Sequence, residues 1–133
     1  MKHENSYNEA MRYIENARLY LKQAGNEDNF YIDEKYIKTA CGTAYSGMLK
    51  ALDFLFDIKN IPKRRGRKSI EYYKSELAKI DKKLLNHLNS GYRFLHLDGY
   101  YEGEKSVKGI EAGFYSAISL IEALKPYSRN GRD

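Results

Sequence analysis

The sequence predicts an all-α protein, an antiparallel bundle of four or five amphipathic helices. Leu, Ala, Lys and Glu are plentiful, whereas Val occurs once and Thr twice, so two residue types that favour strands are scarce. The two prolines, Pro62 and Pro126, lie near the edges of periodic apolar segments, where a helical protein tolerates them. Because 133 residues suit one domain with a hydrophobic core, we expect residues 1–133 to form a single helical-bundle domain.

The first helix is predicted to begin after Ser6. Ser6 and Glu9 have the S-x-x-E spacing of a capping box, in which each side chain satisfies a free backbone N–H of the other. Apolar residues then recur at steps of three and four along one helical face: Ala10, Ile14, Ala17, Leu21 and Ala24. Gly25 followed by Asn26 predicts the end of the helix, because glycine accepts the left-handed cap conformation without strain.

A second helix is predicted over about 33–58. Its apolar and small positions cover more than one face, which is typical of a central helix contacted from several sides. These positions are Ile37, Ala40, Cys41, Ala44, Met48, Leu49, Leu52, Leu55 and Phe56. A glycine inside a helix costs about 1 kcal/mol relative to alanine. Gly42 and Gly47 therefore predict places where a neighbouring element packs closely.

A basic loop is predicted over 59–68, and Ser69 after it suits a helix N-cap. Six of the ten residues carry positive charge: Lys59, Lys63, Arg64, Arg65, Arg67 and Lys68. One interpretation is attraction to the phosphates of a nucleic acid or nucleotide. The other, which short basic clusters more often represent, is a solvated loop. Outside this loop the chain is nearly neutral, so the net charge of +5 resides here.

An apolar seam continues from Ile70 to Leu95, and its spacing is compatible with one helix or with two. A break near Asp81 or near Ser90 and Gly91 is compatible with the pattern, so the spacing does not decide whether 70–97 forms one helix or two. Residues 98–103 are rich in turn formers and predict a loop. A last helix is predicted to start near Ser106 and to stop at Pro126, with a loose tail over 128–133.

Arg93 and His96 are the candidate catalytic residues. On one α-helical face they could point together at an anion or a scissile phosphate, with histidine supplying acid–base chemistry near neutral pH. The alternative interpretation is structural, since both side chains interact favourably with the free carbonyls at a helix C-terminus. Three histidines and one cysteine form no recognised metal-binding spacing, and no glycine-rich phosphate loop is present, so no metal or cofactor is predicted.

The cellular setting is predicted to be the cytoplasm. The single cysteine, Cys41, excludes an internal disulfide and suits a reducing compartment. No stretch approaches the roughly 20 apolar residues of a membrane span, and residues 1–5 lack the apolar core of a signal peptide. We therefore expect no membrane association.

Several short motifs resemble a small family of uncharacterised helical-bundle proteins, mainly from Bacteroidetes. The motifs are Tyr7-x-Glu9-Ala10-x-Arg12-Tyr13-Ile14-x-Asn16-Ala17, Lys35-Tyr36-x-Lys38-x-Ala40, Ala44-Tyr45-Ser46-Gly47, Arg67-Lys68-Ser69-Ile70-x-x-Tyr73 and Leu95-His96-Leu97. That family is distantly similar to HEPN domains, up-and-down bundles that occur as ribonucleases, toxins and partners of nucleotidyltransferases. The resemblance implies Arg93 and His96 as a ribonuclease pair, although fewer residues separate them than in HEPN ribonucleases.

Three functional hypotheses follow. The first is a non-enzymatic binding or interaction module that forms a homodimer, because tyrosine is enriched at interfaces and the chain has 13. The second is an HEPN-like ribonuclease, toxin or nucleotidyltransferase partner that uses Arg93 and His96. The third is non-specific binding of RNA or another nucleic acid through the basic loop 59–68.

Overall fold

The computed structural model describes residues 5–62, 66 and 68–128, most of which are helical, so the all-α class is confirmed. The elements, in chain order, are α1 (Ser6–Ala24), β1 (Asn26–Glu27), β2 (Phe30–Tyr31), α2 (Glu34–Ile58), α3 (Ile70–Ile80), α4 (Lys82–Gly91), a π-helix (Tyr92–Tyr101), α5 (Val107–Glu122) and a 3₁₀ turn (Lys125–Tyr127). None of these described helices combines the length and the apolar character needed to cross a membrane.

Helix α1 has the predicted buried face, but its start is built differently from the prediction. All five predicted apolar positions are buried. Asn5 is the N-cap and no side chain caps the helix, so the predicted pairing of Ser6 with Glu9 is wrong. The Ser6 hydroxyl is instead within 3.2 Å of the Ser128 hydroxyl. This bond joins the two ends of the described chain.

A short β-hairpin, which the sequence did not predict, follows α1. Gly25 ends the helix, as predicted, but its φ of +68° and ψ of 158° differ from the left-handed cap conformation. Strand β1 then pairs antiparallel with β2. Asp28 and Asn29 form the tight turn with positive φ, a conformation that these two residue types tolerate better than most. Strands of two residues are too short to produce the alternation by which a strand is recognised in a sequence.

Helix α2 is the central helix, as predicted. It packs against α1, α5 and the π-helix. Asp33 caps it by accepting a hydrogen bond from the backbone N–H of Lys35 at 3.0 Å. A Cβ added to Gly47 would lie 3.2 Å from the ring of Tyr13 and still closer to its Cβ, so α1 approaches α2 across this glycine. The predicted packing role of Gly47 is thereby confirmed.

The apolar seam after Ile70 is divided at Asp81. Its backbone is extended (φ −161°, ψ 112°), which ends α3, and its carboxylate accepts hydrogen bonds from the N–H groups of Lys83 and Leu84, which starts α4. Ser90 and Gly91 do not break the helix. Gly91 is buried against Met48, so its small size serves packing.

The prediction of a loop over 98–103 is wrong for residues 98–101, because the helix continues as a π-helix to Tyr101. Gly99 lies inside this helix, against the side chain of Cys41, where any Cβ would overlap the thiol. The glycine therefore permits close packing of two helices and does not mark a turn. Gly103, with a φ of +66°, lies in the connection to α5.

Helix α5 begins as predicted, with the Ser106 hydroxyl accepting a hydrogen bond from the N–H of Gly109 at 3.2 Å. The helix ends at Glu122, and Pro126 lies in the 3₁₀ turn that follows. Ser128 is buried and hydrogen-bonded, so the prediction of a loose tail is wrong at this residue. Residues 129–133 lie outside the described residues.

Candidate ligand-binding cavity

A cavity of about 550 Å³ lies between α2 and the π-helix. The first wall comes from α2 and consists of Lys38, Thr39, Gly42, Thr43, Tyr45 and Ser46. The second wall comes from the π-helix and consists of His96, Tyr100 and Tyr101. The volume is within the roughly 300–1,000 Å³ typical of small-molecule sites.

The π-helix arranges aromatic rings around His96. Its i→i+5 hydrogen bonds widen each turn, so residues four and five apart become neighbours. The His96 ring stacks with Tyr92 and Tyr100 at centroid distances of 5.2 and 5.9 Å. Tyr101, five residues on, meets the same imidazole edge-to-face at 4.9 Å. A regular α-helix would direct a residue five positions away toward a different face, so the π-helix assembles this aromatic wall.

Helix α2 completes the cluster and contributes hydroxyl groups. Tyr45 stacks on His96 with a centroid distance of 4.6 Å and an interplanar angle of 25°. Thr39, Thr43 and Ser46 have the spacing of a single helical face and all line the cavity. Gly42 between them makes room for Tyr100, since an added Cβ would lie 2.9 Å from that ring. The predicted packing reason for Gly42 is thus confirmed.

Burial lowers the pKa of His96 below its ordinary value of 6.5. The imidazole is therefore neutral at pH 7 and offers one donor and one acceptor nitrogen. Within the described part of the chain, the ring makes aromatic contacts and no side-chain hydrogen bond. The cavity is thus lined by a neutral imidazole whose nitrogens are available to a ligand.

Lys38 provides the positive charge of the cavity. Its Nζ is 4.0 Å from the Glu34 carboxylate, one turn earlier on α2, and its side chain is 41% exposed. A pair of this kind is weak, about 0.3–0.5 kcal/mol. Burial, followed by the proximity of Tyr92, raises the pKa of the Tyr45 phenol above its usual range, so this hydroxyl stays protonated. Lys38 and Tyr45 are both hydrogen-bond donors at neutral pH.

The structure places Arg93 apart from the residues that line the cavity. Its guanidinium lies over the ring of Phe94 at 5.4 Å, and among the described lining residues His96 is present and Arg93 is not. Because the helix continues to Tyr101, neither residue caps a helix end near Leu97, and the capping interpretation is wrong. The two candidates therefore differ in position: His96 lines a cavity and Arg93 is on the exposed surface.

Two of the six candidate phosphate-binding residues of the basic loop are described, and both have partners. Lys68 forms an ion pair with Asp53 at 2.9 Å, and Asp53 also accepts a hydrogen bond from Tyr73 at 2.9 Å. Lys59 lies over the ring of Tyr127 at 5.7 Å. The remaining four, Lys63, Arg64, Arg65 and Arg67, lie outside the described residues.

Most of the cavity's residues went unrecognised in the sequence, although two signals were present. The tyrosines at positions four before and four after His96 form a repeated step along one helix, and the hydroxyl residues of α2 repeat at helical spacing. What no local pattern could show is that these two segments face each other. Across residues 5–62, 66 and 68–128, no three His, Cys, Asp or Glu side chains are grouped so that they could hold a metal.

Comparison with known proteins shows similarity to proteins without an assigned function. A family model described as Domain of unknown function (DUF5618) matches residues 5–125. A solved structure of a protein of unknown function from Dyadobacter fermentans is 41% identical, with a TM-score of 0.87, over 96% of this chain and 99% of that one. No curated protein matches. Dyadobacter belongs to the Bacteroidetes, which agrees with the resemblance drawn from the sequence motifs.

Proposed function

The chain belongs to the family described as Domain of unknown function (DUF5618), and we propose that it is a binding module whose ligand occupies the cavity around His96. The observation that carries this proposal is the half-buried imidazole, which lines a cavity of ligand size without a side-chain hydrogen bond among the described residues. A neutral imidazole has one donor and one acceptor nitrogen. Both are therefore available to a ligand that enters the cavity.

The cavity also has the composition of a binding site. Aromatic rings form much of its surface, and a small number of polar groups converge on it from two helices. The rings are held by one another, since Tyr100 packs edge-to-face on Tyr101 at 5.3 Å while both contact His96. Such mutual packing fixes side-chain positions before a ligand arrives, which lowers the entropic cost of binding.

A fragment screen by NMR tests the proposal, with a variant that fills the cavity. Ser46→Phe places a ring at the exposed edge of the cavity, and Ser75→Phe places the same ring on the exposed face of α3 as a matched control. We expect fragments that shift the resonances of Thr43 and His96 in the wild-type protein and in Ser75→Phe, and no such shifts in Ser46→Phe. The proposal is overturned if no fragment perturbs these residues, or if Ser46→Phe binds as well as the control.

A second candidate function is the HEPN-like ribonuclease, and the neutral state of His96 favours it. An imidazole with a pKa below 6.5 is unprotonated at pH 7 and can accept a proton from a ribose hydroxyl. Purified protein should then cleave RNA in the presence of EDTA, and His96→Ala should abolish cleavage. No cleavage by the wild-type protein, or equal cleavage by His96→Ala, would rule this function out.

Nucleic-acid binding through the basic loop remains a separate proposal. Its test is the replacement of Lys63, Arg64, Arg65 and Arg67 by serine. Binding of RNA should weaken and depend less steeply on salt concentration, because fewer counterions would be released. An unchanged binding curve would contradict it.

Self-association and pairing with a nucleotidyltransferase are also proposals. Tyr115, 67% exposed on α5, is the kind of residue that a homodimer interface would cover. Light scattering should show a dimer, and a monomer at high concentration would contradict self-association.

A nucleotidyltransferase encoded beside this chain should co-purify with it. Separate elution of the two proteins would contradict pairing.

A further inference from the structure

We propose that the ligand of the His96 cavity is a planar ring that carries a phosphate or a carboxylate. This inference rests on the proposed binding function and specifies the chemistry of the ligand. Two sets of residues carry it: the hydrogen-bond donors on α2, and the exposed aromatic rings on the π-helix.

Every described polar side chain that lines the cavity can donate a hydrogen bond, and none of them carries a negative charge. The Lys38 ammonium has three N–H groups, and neither Thr43 nor Ser46 uses its hydroxyl in a side-chain hydrogen bond among the described residues. Thr39 differs, because its hydroxyl already donates to the carbonyl of Lys35 at 3.0 Å. No aspartate or glutamate is among the described residues that line the cavity. Such a set matches an anion, whose oxygens accept several hydrogen bonds at once.

The Lys38 ammonium is available to an anion despite its neighbour Glu34. The distance of 4.0 Å is long for an ion pair, and both side chains are partly in water, at 41% and 55% exposed. Surface pairs of this kind contribute little, so little is lost when the ammonium turns toward a ligand. The imidazole of His96 also gains a proton more readily beside an anion, which would add a second positive charge.

The aromatic rings account for the planar part of the ligand. Tyr100 and Tyr101 are 45% and 61% exposed, although both line the cavity and contact His96. Exposed tyrosine rings offer apolar faces on which another ring can stack. A ligand ring stacked here would place its substituent near the donors of α2.

Aromatic clusters also bind cations, so a positively charged ligand is the alternative to an anion. A quaternary ammonium ion is attracted to the faces of tyrosine rings. In this cavity the ammonium of Lys38 would repel such a ligand, and no carboxylate among the described lining residues would attract it. The charge of the cavity therefore favours the anion.

Five probes separate these possibilities by NMR titration of the whole chain: phenyl phosphate, benzoate, phenol, inorganic phosphate and benzyltrimethylammonium. We expect phenyl phosphate or benzoate to bind most tightly and to shift Thr43, Ser46 and His96. The tighter of the two identifies the anion. Lys38→Gln should weaken binding of that probe about fivefold and leave phenol unchanged, because only the charged contact is lost. Lys108→Gln, on the exposed surface of α5, is the matched control. It should change neither the affinity for that probe nor the affinity for phenol.

Tightest binding by phenol or by benzyltrimethylammonium at these residues would overturn the ligand class and leave the binding function standing. If inorganic phosphate shifts the same residues and binds as tightly as phenyl phosphate, the requirement for a ring is overturned. If no probe perturbs the cavity, the ligand class falls, while the fragment screen with Ser46→Phe decides the binding function independently.

Discussion

The imidazole of His96 and the phenol of Tyr45 stack at 4.6 Å, one from the π-helix and one from α2. This contact joins the two walls of the cavity. It also helps to remove the imidazole from water, and burial is the cause of the lowered pKa of His96. The same stack therefore positions the ring and favours its neutral form.

We first predict a loss of stability in mild acid that depends on His96. The folded state disfavours the proton, so the unfolded chain binds it more readily once the pH falls below the ordinary value of 6.5. The stability that comes from the neutral His96 imidazole is complete above pH 6.5. It is lost as the pH falls from that value through the lower pKa that His96 has in the folded protein. Urea unfolding at about pH 7.5 and about pH 5.5 should show a smaller decrease in His96→Phe, which keeps a ring and cannot titrate. An equal decrease in both proteins would contradict the prediction.

The second prediction concerns the packing of Gly99 on Cys41. A Cβ at position 99 would lie 2.7 Å from the Cβ of Cys41 and would overlap its thiol, in a buried region. Gly99→Ala should lower the free energy of unfolding by about 2 kcal/mol, measured by urea denaturation. Gly109→Ala is the control, because the nearest atoms to its new Cβ are at 3.8 Å. That change should raise stability by about 0.5 kcal/mol, and similar behaviour of the two variants would refute the packing account.

These glycines show what the sequence could and could not predict. The cap at Ser69 and the helix start near Ser106 depend on residues within one turn, and both were predicted and are present. The turn signal of Asp98 and Gly99 is equally local, but the close approach of Cys41 from α2 requires a glycine inside a helix. Tertiary contact therefore overrode a local preference for a turn.

The candidate site was predictable only in part, for the same reason. His96 was identified because histidine is the side chain that titrates nearest neutral pH. Its association with Arg93 assumed the geometry of an α-helix, whereas the residues around it are those four and five positions away on a π-helix. Tyr45 comes from another helix, so no spacing within one segment could pair it with His96.

A third prediction concerns the connection between the two ends of the described chain. Ser128 is 1% exposed, and its hydroxyl accepts a hydrogen bond from the N–H of Tyr7 at 3.0 Å and contacts the Ser6 hydroxyl. Ser128→Ala would leave those groups unpaired away from water and should lower the free energy of unfolding by about 1–3 kcal/mol. Ser75→Ala, at an exposed position, should change it by less than about 0.5 kcal/mol. Equal stability of the two variants would contradict the role of this bond.

A fourth prediction concerns Tyr31, which burial and the neighbouring Glu111 carboxylate give a pKa of about 12. The phenol donates a hydrogen bond to Glu111 at 3.2 Å, and Arg18 pairs with the same carboxylate at 2.6 Å. Glu111→Gln removes the negative charge and should lower the pKa of Tyr31, while burial, the largest cause, keeps it above 10.0. An NMR titration of the Tyr31 ring carbon checks this, with Glu9→Gln on α1 as the control. An unchanged pKa in Glu111→Gln would show that the carboxylate has no influence on the phenol.

The central claim is that a ligand contacts His96 inside the cavity, and the imidazole resonances of His96 report on this directly. They should be followed while phenyl phosphate is added to the wild-type protein and to Ser46→Phe. We predict that the His96 signals of the wild-type protein shift with saturation and that the pKa of His96 rises in the complex, because a bound anion stabilises the imidazolium form. Neither change should occur in Ser46→Phe. Saturable binding that leaves the His96 signals unmoved would contradict the claim.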